Sequence, residues 1–406
     1  MEKFDYVPSV SDTLGLGNRQ RGDGCPGALT MHQAADGFIG RIRIAGGRAS
    51  SAHLAALAQL AEEHGDGDIH VTTRGNVQIR GISEREAFSS AVCELGLVPS
   101  SAHDKIRNII ASPLAPALDQ LVARLDEGLL ASTEVTGLSG RTLFGLDAGD
   151  GAITANHPDF GIQIHSETEA IVVLGGVPTV LSALIDATPQ ILVAAAEQWQ
   201  RIRGDHWRVQ ENPELRDELL RHLETLPEVS RTSTTLEVAQ RAKADEAPIG
   251  WLERSDGLVD LGASLPFGVL SARVARMLAA TDKPVRITPW AGVVVCELHE
   301  DEAEAVAKVL APQGLVFDRR SPWLRVTACT GLPGCTKSRS DVRGDALSAI
   351  RTHALPDPTT ADAVHFSGCE RRCGHPLHNY WDYLAEGDGD YEVSVASGTP
   401  ATARTF

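Results

Sequence analysis

Four of the seven cysteines in this 406-residue chain lie close together in sequence near its C-terminus. They form two pairs, Cys329 with Cys335 in a C-x5-C spacing and Cys369 with Cys373 in a C-x3-C spacing. Thiolates bind soft metals, and four of them can hold one tetrahedral zinc ion or the four iron corners of a 4Fe-4S cube. Structural zinc sites use tighter knuckles, so the wide and unequal spacing favours the cube, with four buried structural cysteines as the alternative.

Glycines lie beside both cysteine pairs, Gly331 and Gly334 at the first pair and Gly368 and Gly374 at the second. Glycine lets the backbone turn closely around a cofactor and direct amide hydrogens at sulfur, where hydrogen bonds help to set the reduction potential. These positions strengthen the prediction of an iron-sulfur cluster. The other cysteines stand alone, are assigned no chemistry, and are expected to be small core or loop residues: Cys25, Cys93 and Cys296.

The sequence around the cysteines is basic, although the chain as a whole is acidic. The formal net charge of -17 at pH 7 argues against nucleic acid or anionic lipid as a partner. Between Arg319 and Arg343, however, six basic residues accompany a single acid. Guanidinium groups match carboxylate geometry, so this concentration predicts a ligand with several carboxylates, and Arg325, Lys337 and Arg339 are candidate binding residues. For any single arginine, a solvated surface position is the alternative.

The sequence also bears on the compartment in which the protein works. The first ten residues contain no apolar run behind a basic cluster, so a secretory signal is not expected. The longest uncharged apolar stretch, residues 170–185, is interrupted by Gly175, Gly176 and Pro178 and is too short to cross a bilayer. An odd number of cysteines favours free or metal-bound thiols in a reducing compartment. A cytoplasmic protein without a membrane partner is therefore predicted.

An internal repeat links the two halves of the chain. Each copy contains a strand, a helix, a second strand, a second helix and a short arginine-bearing strand. The first copy comprises residues 36–44, a helix over 50–63 begun by a serine cap, residues 69–82, residues 84–95 and the strand around Arg107. The second begins at Asp256 and comprises residues 271–280, 285–298 and 301–310 and the strand around Arg325. Thr72 and Thr288 lie 216 positions apart and the two arginines 218 apart, so the register holds across the unit. Two unrelated β-α-β units are the alternative interpretation.

The repeat predicts an α+β fold with two half-repeats and two larger regions. Residues 1–98 are expected to form the first half-repeat, 99–226 the first α/β region, 227–248 a polar connector, 249–315 the second half-repeat and 316–406 the cysteine-bearing region. Within the first α/β region, a strand over 170–176 is expected to lead into a helix.

Both half-repeats, the TTRGNVQIRG and KIRN segments and the two cysteine pairs together resemble the sulfite/nitrite reductase superfamily. The resemblance implies two ferredoxin-like half-domains related by a pseudo-twofold axis and two α/β domains, the second of which carries a 4Fe-4S cluster. It also implies that Arg74 and Arg107 bind anions and that Cys373 bridges the cluster to siroheme.

One segment departs from the reductases of this superfamily, which carry a Lys-x-Lys pair that supplies protons. In LSGRTLFGLDAGDG the two positions hold Arg141 and Leu143, and leucine cannot deliver a proton. This segment, RGDGCPGALTMHQAADG and SGCERRCGHP resemble a branch of the superfamily that acts on a siroheme-like tetrapyrrole in aerobic cobalamin biosynthesis. The resemblance implies a monooxygenase that uses O2 and a reduced donor to hydroxylate precorrin-3A at a meso carbon, with formation of a γ-lactone.

The resemblance leaves cofactor and partner alternatives open. Arg141 joins the candidate substrate-binding residues, and a siroheme-dependent sulfite or nitrite reductase is the alternative enzyme. The sequence contains no convincing Rossmann fingerprint or flavin motif, so electrons are expected from a separate ferredoxin or NAD(P)H-dependent reductase. The branch implies a possible non-haem iron, for which His375, His378 and Glu370 are the nearest candidates. A third hypothesis is a non-catalytic binding protein stabilised by zinc.

Overall fold

The computed structural model describes residues 23–236, 247–376 and 378–397. Within these residues the chain forms a mixed α+β fold with four sheets. In chain order, the strands β1 to β20 are His32–Ala34, Gly37–Ile42, Arg48–Ala49, Asp68–Val71, Val77–Ile82, Ile109–Ala111, Phe144–Asp147, Phe160–Ile164, Glu169–Leu174, Val177–Leu184, Val229–Arg231, Gly250–Glu253, Val259–Ser264, Val269–Ser271, Val285–Thr288, Gly292–Leu298, Val326–Ala328, Ala363–Ser367, Tyr380–Gly387 and Asp390–Ala396. The α-helices α1 to α8 are Ser51–His64, Arg85–Glu94, Asp119–Ala131, Thr188–Ile202, Pro213–Leu223, Ala272–Ala279, Glu300–Leu310 and Val342–Arg351.

Two five-stranded sheets repeat the same arrangement. One has the strand order β1-β2-β5-β4-β14 and the other β12-β13-β16-β15-β3. Strand β14 of the second half pairs antiparallel with β4 of the first half, and β3 of the first half pairs antiparallel with β15 of the second. The two halves therefore exchange their fifth strands. This arrangement confirms the predicted α+β fold with duplicated ferredoxin-like half-domains.

Serine residues begin the equivalent helices α1 and α6, as predicted for the first of them. The Ser50 hydroxyl accepts a hydrogen bond from the His53 N–H at 3.2 Å, and the Ser271 hydroxyl accepts one from the Val274 N–H at 3.3 Å. Each cap satisfies an amide group that the helix N-terminus leaves without a partner inside the helix. Leu57 of α1 and Leu278 of α6 are buried in one hydrophobic core that takes residues from both halves.

Two segments predicted as single strands are hairpins. Residues 69–82 contain most of β4 and all of β5, and residues 285–298 contain β15 and β16, with each pair antiparallel. The chain reverses near Gly75 and Ala291, whose φ angles are 63° and 54°. Apolar residues alternate on both sides of each turn, and for this reason the sequence predicted one continuous strand. Gly75 allows the chain to reverse without steric cost.

The first α/β region is a six-stranded sheet with the order β11-β10-β9-β8-β7-β6. The prediction that the strand over 170–176 leads into a helix was wrong, because the chain turns at Gly175 and Gly176 into the antiparallel strand β10 before α4 begins. The predicted connector contributes β11, which pairs with β10, and its residues 237–246 lie outside the described residues. Trp199 of α4 is fully buried in the core of this region.

A four-stranded sheet, with the order β17-β18-β19-β20, carries the cysteine-bearing region. Strands β17, β18 and β19 are parallel, and α8 connects β17 with β18. Val342 and Ile350 of α8 lie in the same hydrophobic core as Val364 and Phe366 of β18. A parallel pair requires such a crossover, which brings the carboxyl ends of both strands to the same edge of the sheet. In the part of the chain that the structure describes, no helix has the length and apolar character needed to cross a membrane.

Candidate metal centre and anion site

The cysteine pairs meet at the carboxyl ends of β17 and β18. Cys329 directly follows β17, and Cys369 lies two residues after β18, while the register places Ala328 opposite Phe366. The Cys329 N–H donates to the Phe366 carbonyl at 3.0 Å, and the Gly368 N–H donates to the Cys329 Sγ at 3.3 Å. The parallel register therefore brings the first residue of one cysteine pair beside the first residue of the other.

All four predicted cluster ligands are half-buried free thiols, and their charges influence one another. Burial raises the pKa of Cys329, and the charges of Cys369 and Cys335 raise it further. Burial also raises the pKa of Cys373, with contributions from Cys329, Cys369 and Cys335. Because each thiolate would oppose ionisation of the others, a cationic metal centre among them would favour the thiolate form of the set.

The two cysteine loops pack so closely that glycine is required at their contact. The Arg339 N–H donates to the Gly368 carbonyl at 3.0 Å. A Cβ atom at Gly368 would lie 1.8 Å from the Ser338 Oγ, and one at Gly331, where φ is +70°, would lie 2.8 Å from a methyl group of Val342. Gly368 is therefore needed for the packing of the two loops on each other, and Gly331 for the packing of the first loop on α8.

The spacing of the four thiols in the fold bears on which metal centre they could hold. Among the described residues, no three or more His, Cys, Asp or Glu side chains converge on one ion position. A tetrahedral zinc site needs such convergence, whereas a cube carries its thiolates on four separate iron corners. The amide hydrogen bond from Gly368 to the Cys329 sulfur is of the kind that tunes iron-sulfur clusters.

The candidates for a separate non-haem iron do not come together. The His375 Nδ1 lies 2.7 Å from the Pro376 carbonyl oxygen, and the ring stacks on Tyr380. His378 lies 3.6 Å from an Asp362 carboxylate oxygen, and Glu370 accepts a hydrogen bond from Arg339. His375, His378 and Glu370 are close in sequence, but each contacts a different neighbour. The structure therefore does not show them at one shared ligand position.

Arg74 and Arg141, both predicted substrate-binding residues, do lie together. The Arg74 Nη1 donates to the Arg141 carbonyl at 3.0 Å. The Arg141 guanidinium lies 4.6 Å from the centre of the Trp207 ring and 3.7 Å from a carboxylate oxygen of Asp23. Burial lowers the pKa of Arg74, and the nearby charge of Arg208 lowers it further. An anionic ligand would offset this cost, so the position suits a carboxylate.

Two asparagines of the sequence motifs hold these segments in place. Asn76 follows the turn that carries Arg74, and its amide donates to the Asn108 side chain at 3.0 Å. The Asn108 amide in turn donates to the carbonyls of Gly140 and Thr142, both at 3.0 Å. Buried amide networks of this kind are rigid when all their partners are satisfied. They fix the Arg74 turn against the segment that carries Arg141.

Sequence reasoning missed three further arginines near this position. Burial lowers the pKa of Arg43, whose Nη2 lies 3.7 Å from the Cys25 Sγ, and the Arg41 Nη1 donates to the same sulfur at 3.2 Å. Arg208 pairs with Asp159 at 2.7 Å. The signal for two of them was their spacing, since residues two positions apart in a strand share a face. We refer to Arg41, Arg43, Arg74, Arg141 and Arg208 as the arginine cluster.

The other predicted substrate-binding arginines bind partners outside the arginine cluster. Arg107 forms a bidentate pair with Asp126 on α3, with both N···O distances 2.6 Å. Arg325 donates to the carbonyls of Asp362 and Pro356, at 2.7 and 3.3 Å. Arg339 binds Glu370 and the Ala385 carbonyl, both at 3.1 Å, and Lys337 is exposed. The structure therefore gives Arg107, Arg325 and Arg339 partners within the protein.

The chain is similar in sequence to a precorrin-3B synthase and to a nitrite reductase. Residues 32–88 match the model of the nitrite/sulfite reductase ferredoxin-like half domain. A curated precorrin-3B synthase of Sinorhizobium sp is 26% identical, and the match covers 91% of this chain and 82% of that protein. The chain is therefore similar to proteins of the nitrite/sulfite reductase group, and its residues 32–88 match their ferredoxin-like half domain.

Two further proteins are similar to this chain. A ferredoxin–nitrite reductase of Synechococcus elongatus is 24% identical, and the match covers 84% of this chain and 74% of that protein. The structure of the Mycobacterium tuberculosis NirA protein superposes with a TM-score of 0.65 at 18% identity, over 88% of this chain and 73% of that one. That likeness shows that the two proteins share a fold.

Leu143 is buried and cannot transfer protons. Its side chain is 2% exposed and packs in an apolar cluster with Ile110, Ile153 and Trp290. The Leu143 N–H donates to the Asp159 carboxylate at 2.8 Å, which fixes the backbone there. An alkyl side chain in an apolar cluster can neither donate a proton nor attract a small oxyanion.

Proposed function

We propose that this chain catalyses the oxygen-dependent hydroxylation of precorrin-3A at a meso carbon, with formation of a γ-lactone, as a precorrin-3B synthase. The observation that carries the proposal is Leu143, buried in an apolar cluster at the position where the resembled reductases need a lysine. The similarity to a curated precorrin-3B synthase over 91% of the chain supports the same choice. The proposal places the protein in the cytoplasm, where free thiols persist.

The arginine cluster is proposed to bind the acetate and propionate groups of the macrocycle. Arg74 forms no salt bridge with a carboxylate among the described residues, and burial and the charge of Arg208 destabilise its own charge. A substrate carboxylate would relieve that cost and gain charge-assisted hydrogen bonds. The Asn76–Asn108 contact fixes the Arg74 turn, so the substrate would meet a preorganised cation rather than a mobile one.

Cys329, Cys335, Cys369 and Cys373 are proposed to hold a 4Fe-4S cluster. When bound, such a cluster would supply one-electron transfer from an external ferredoxin or NAD(P)H-dependent reductase. In the overall reaction one oxygen atom of O2 enters the ring, and two electrons and two protons convert the other to water. The Gly368 N–H, which donates to the Cys329 sulfur, would stabilise electron density on that ligand.

A siroheme-dependent sulfite or nitrite reductase is the second candidate. The similarity to a ferredoxin–nitrite reductase, at 24% identity over 84% of the chain, favours it. Under this alternative Cys373 would bridge the cluster to siroheme, and Arg74 would bind the small oxyanion. Leu143 opposes the alternative, because a reduction that consumes several protons would lack a donor there.

One experiment with two substrates separates the candidates. Anaerobically purified protein is expected to contain iron and sulfide without siroheme absorbance, and to convert precorrin-3A only when O2 and a reduced donor are present. Equal conversion without O2 would reject the proposal, and nitrite- or sulfite-dependent oxidation of the donor by siroheme-containing protein would establish the alternative. One zinc per chain without iron or sulfide would instead select a zinc-stabilised binding protein.

The cysteine assignment is tested by a matched pair of variants. C373S is expected to lose the cluster absorbance and the iron content, whereas C93S, which changes an exposed cysteine in α2, keeps both. A C373S protein with full iron and sulfide content would contradict the assignment of Cys373 as a ligand.

A further inference from the structure

Arg80 of the first half-domain reaches the first cysteine loop from 254 positions away in sequence. It lies on β5, is 8% exposed, and donates from Nη2 to the Gly334 carbonyl at 3.1 Å. Gly334 immediately precedes Cys335. A buried guanidinium of one half-domain therefore contacts the backbone that presents a predicted cluster ligand in another part of the fold.

Asp36 fixes the orientation of that guanidinium. The Arg80 Nε donates to one carboxylate oxygen of Asp36 at 2.9 Å, and Nη2 donates to the other at 3.0 Å. Two parallel bonds hold the planar group in one orientation, so little further freedom is lost when it contacts the Gly334 carbonyl. A Cβ atom at Gly334 would lie 3.1 Å from the Asp36 carboxylate, so a glycine accommodates the close approach.

A second guanidinium holds the opposite end of the same loop. The Arg343 Nε, on α8, donates to the Cys329 carbonyl at 3.3 Å. Burial lowers the pKa of Arg343, and the charge of Arg80 lowers it further. The backbone carbonyls of Cys329 and Gly334, close to the two ends of the C-x5-C loop, thus each accept a hydrogen bond from an arginine.

The internal duplication does not provide this contact twice. With the 216-position offset of Thr72 and Thr288, the equivalent of Arg80 on β5 is Cys296 on β16. Cys296 is 3% exposed, and its side chain has no positive charge with which to bind a loop carbonyl. The shared scaffold does not require an arginine at this strand position, so the contact is specific to the half that meets the cysteine loop.

We propose that Arg80 is a positioning residue that fixes the C-x5-C loop against the first half-domain, in the geometry that retains the iron-sulfur cluster. The inference rests on the cluster assigned under the proposed function. The Asp36-oriented fork acts through the Gly334 carbonyl and so holds Cys335 in place. Loss of the fork would leave all four cysteines present but the loop less constrained.

The test compares R80Q with R286Q, a matched control. Arg286 is 7% exposed and forms an equally well-aligned bidentate pair with Asp119, at 2.7 and 2.8 Å, but makes no contact with a cysteine loop. Both variants break a buried arginine–carboxylate pair and are expected to lower the thermal midpoint to a similar extent. Only R80Q is expected to release iron to a chelator faster, by about 10-fold relative to wild type, as seen when outer contacts of metal ligands are lost.

Two further measurements separate positioning from general destabilisation. R80Q is expected to lower the midpoint potential of the cluster, because Asp36 then leaves a negative charge nearby, while R286Q leaves the potential unchanged. R80K keeps the charge without the fork and is expected to release iron at a rate closer to R80Q than to wild type. D36N serves as a second, milder variant with the arginine intact and is expected to speed iron release to a smaller extent.

The outcomes distinguish this inference from the proposed function. Wild-type protein that retains its cluster, together with equal iron release from R80Q and R286Q, would overturn the role of Arg80 and leave the proposed function standing. Iron release from R80K at the wild-type rate would show that charge rather than fork geometry acts, and would also overturn it. Wild-type protein that binds no iron-sulfur cluster would overturn both.

Discussion

Arg74 and Trp290 occupy equivalent turn positions in the two half-domain hairpins. Each precedes a residue with a positive φ angle, Gly75 at 63° and Ala291 at 54°. The duplicated scaffold therefore presents a cation from one half and an aromatic ring from the other. Trp290 packs with the apolar cluster around Leu143, whereas Arg74 joins the arginine cluster. The two hairpins therefore share a positive φ angle at the turn but carry different side chains before it.

R74Q is expected to weaken binding of a polycarboxylate tetrapyrrole by about 10-fold or more, because hydrogen bonds to a charged group contribute about 1.5–3 kcal/mol. Absorbance titration of each variant with the tetrapyrrole measures the effect. R325Q is the control, since the Arg325 guanidinium already binds the Asp362 and Pro356 carbonyls. An equal loss of affinity in R74Q and R325Q would contradict the assignment of Arg74 to the ligand site.

We expect Arg107 to stabilise the fold rather than to bind the substrate. Its bidentate pair with Asp126 is largely buried, so R107M leaves an unpaired carboxylate and should lower the unfolding free energy by about 3 kcal/mol. The double variant R107M/D126L should recover most of that loss, because both charges are then removed. Denaturant unfolding measures both. R201Q, which breaks an exposed pair with Glu134, should lower the unfolding free energy far less than R107M does.

Local sequence patterns predicted those parts of the fold in which one helix or strand is specified by its own residues. Ser50 begins α1 as predicted, and the cysteine pairs follow strands β17 and β18. The strand exchange could not be predicted, because β3 and β14 have only two and three residues and show no apolar period. The arginine cluster was found only in part, since burial and neighbouring charge, rather than residue type, separate Arg74 from Arg325.

Cys296 is expected to make the unfolding free energy depend on pH in the alkaline range. Burial raises the pKa of Cys296 to about 12, and the charge of Asp260 contributes to the increase. The thiol of the unfolded chain ionises near about 8.5, so above that pH the unfolded state binds fewer protons than the native state. The unfolding free energy of wild type relative to C296A should therefore fall by up to about 1.4 kcal/mol per pH unit between about pH 9 and 12. Parallel stability curves for the two proteins would contradict this expectation.

G368A is expected to disrupt the contact between the two cysteine loops. Its new methyl group would lie 1.8 Å from the Ser338 Oγ, so the loops must separate. The expected result is reduced iron incorporation and a lower thermal midpoint, measured by iron analysis and thermal unfolding. G24A is the control, because a Cβ atom there would meet nothing within 4 Å. Unchanged iron content in G368A would show that the loops accept a side chain at this position.

The exchange of β3 and β14 between the halves also determines when the protein can finish folding during synthesis. The sheet of the first half-domain lacks its fifth strand until the ribosome has produced Val269–Ser271. Until then β4 presents an unpaired edge, a feature that invites association with other chains. If the gene were divided between residues 237 and 246, neither fragment would carry a complete half-domain, and each would need the other to complete its sheet.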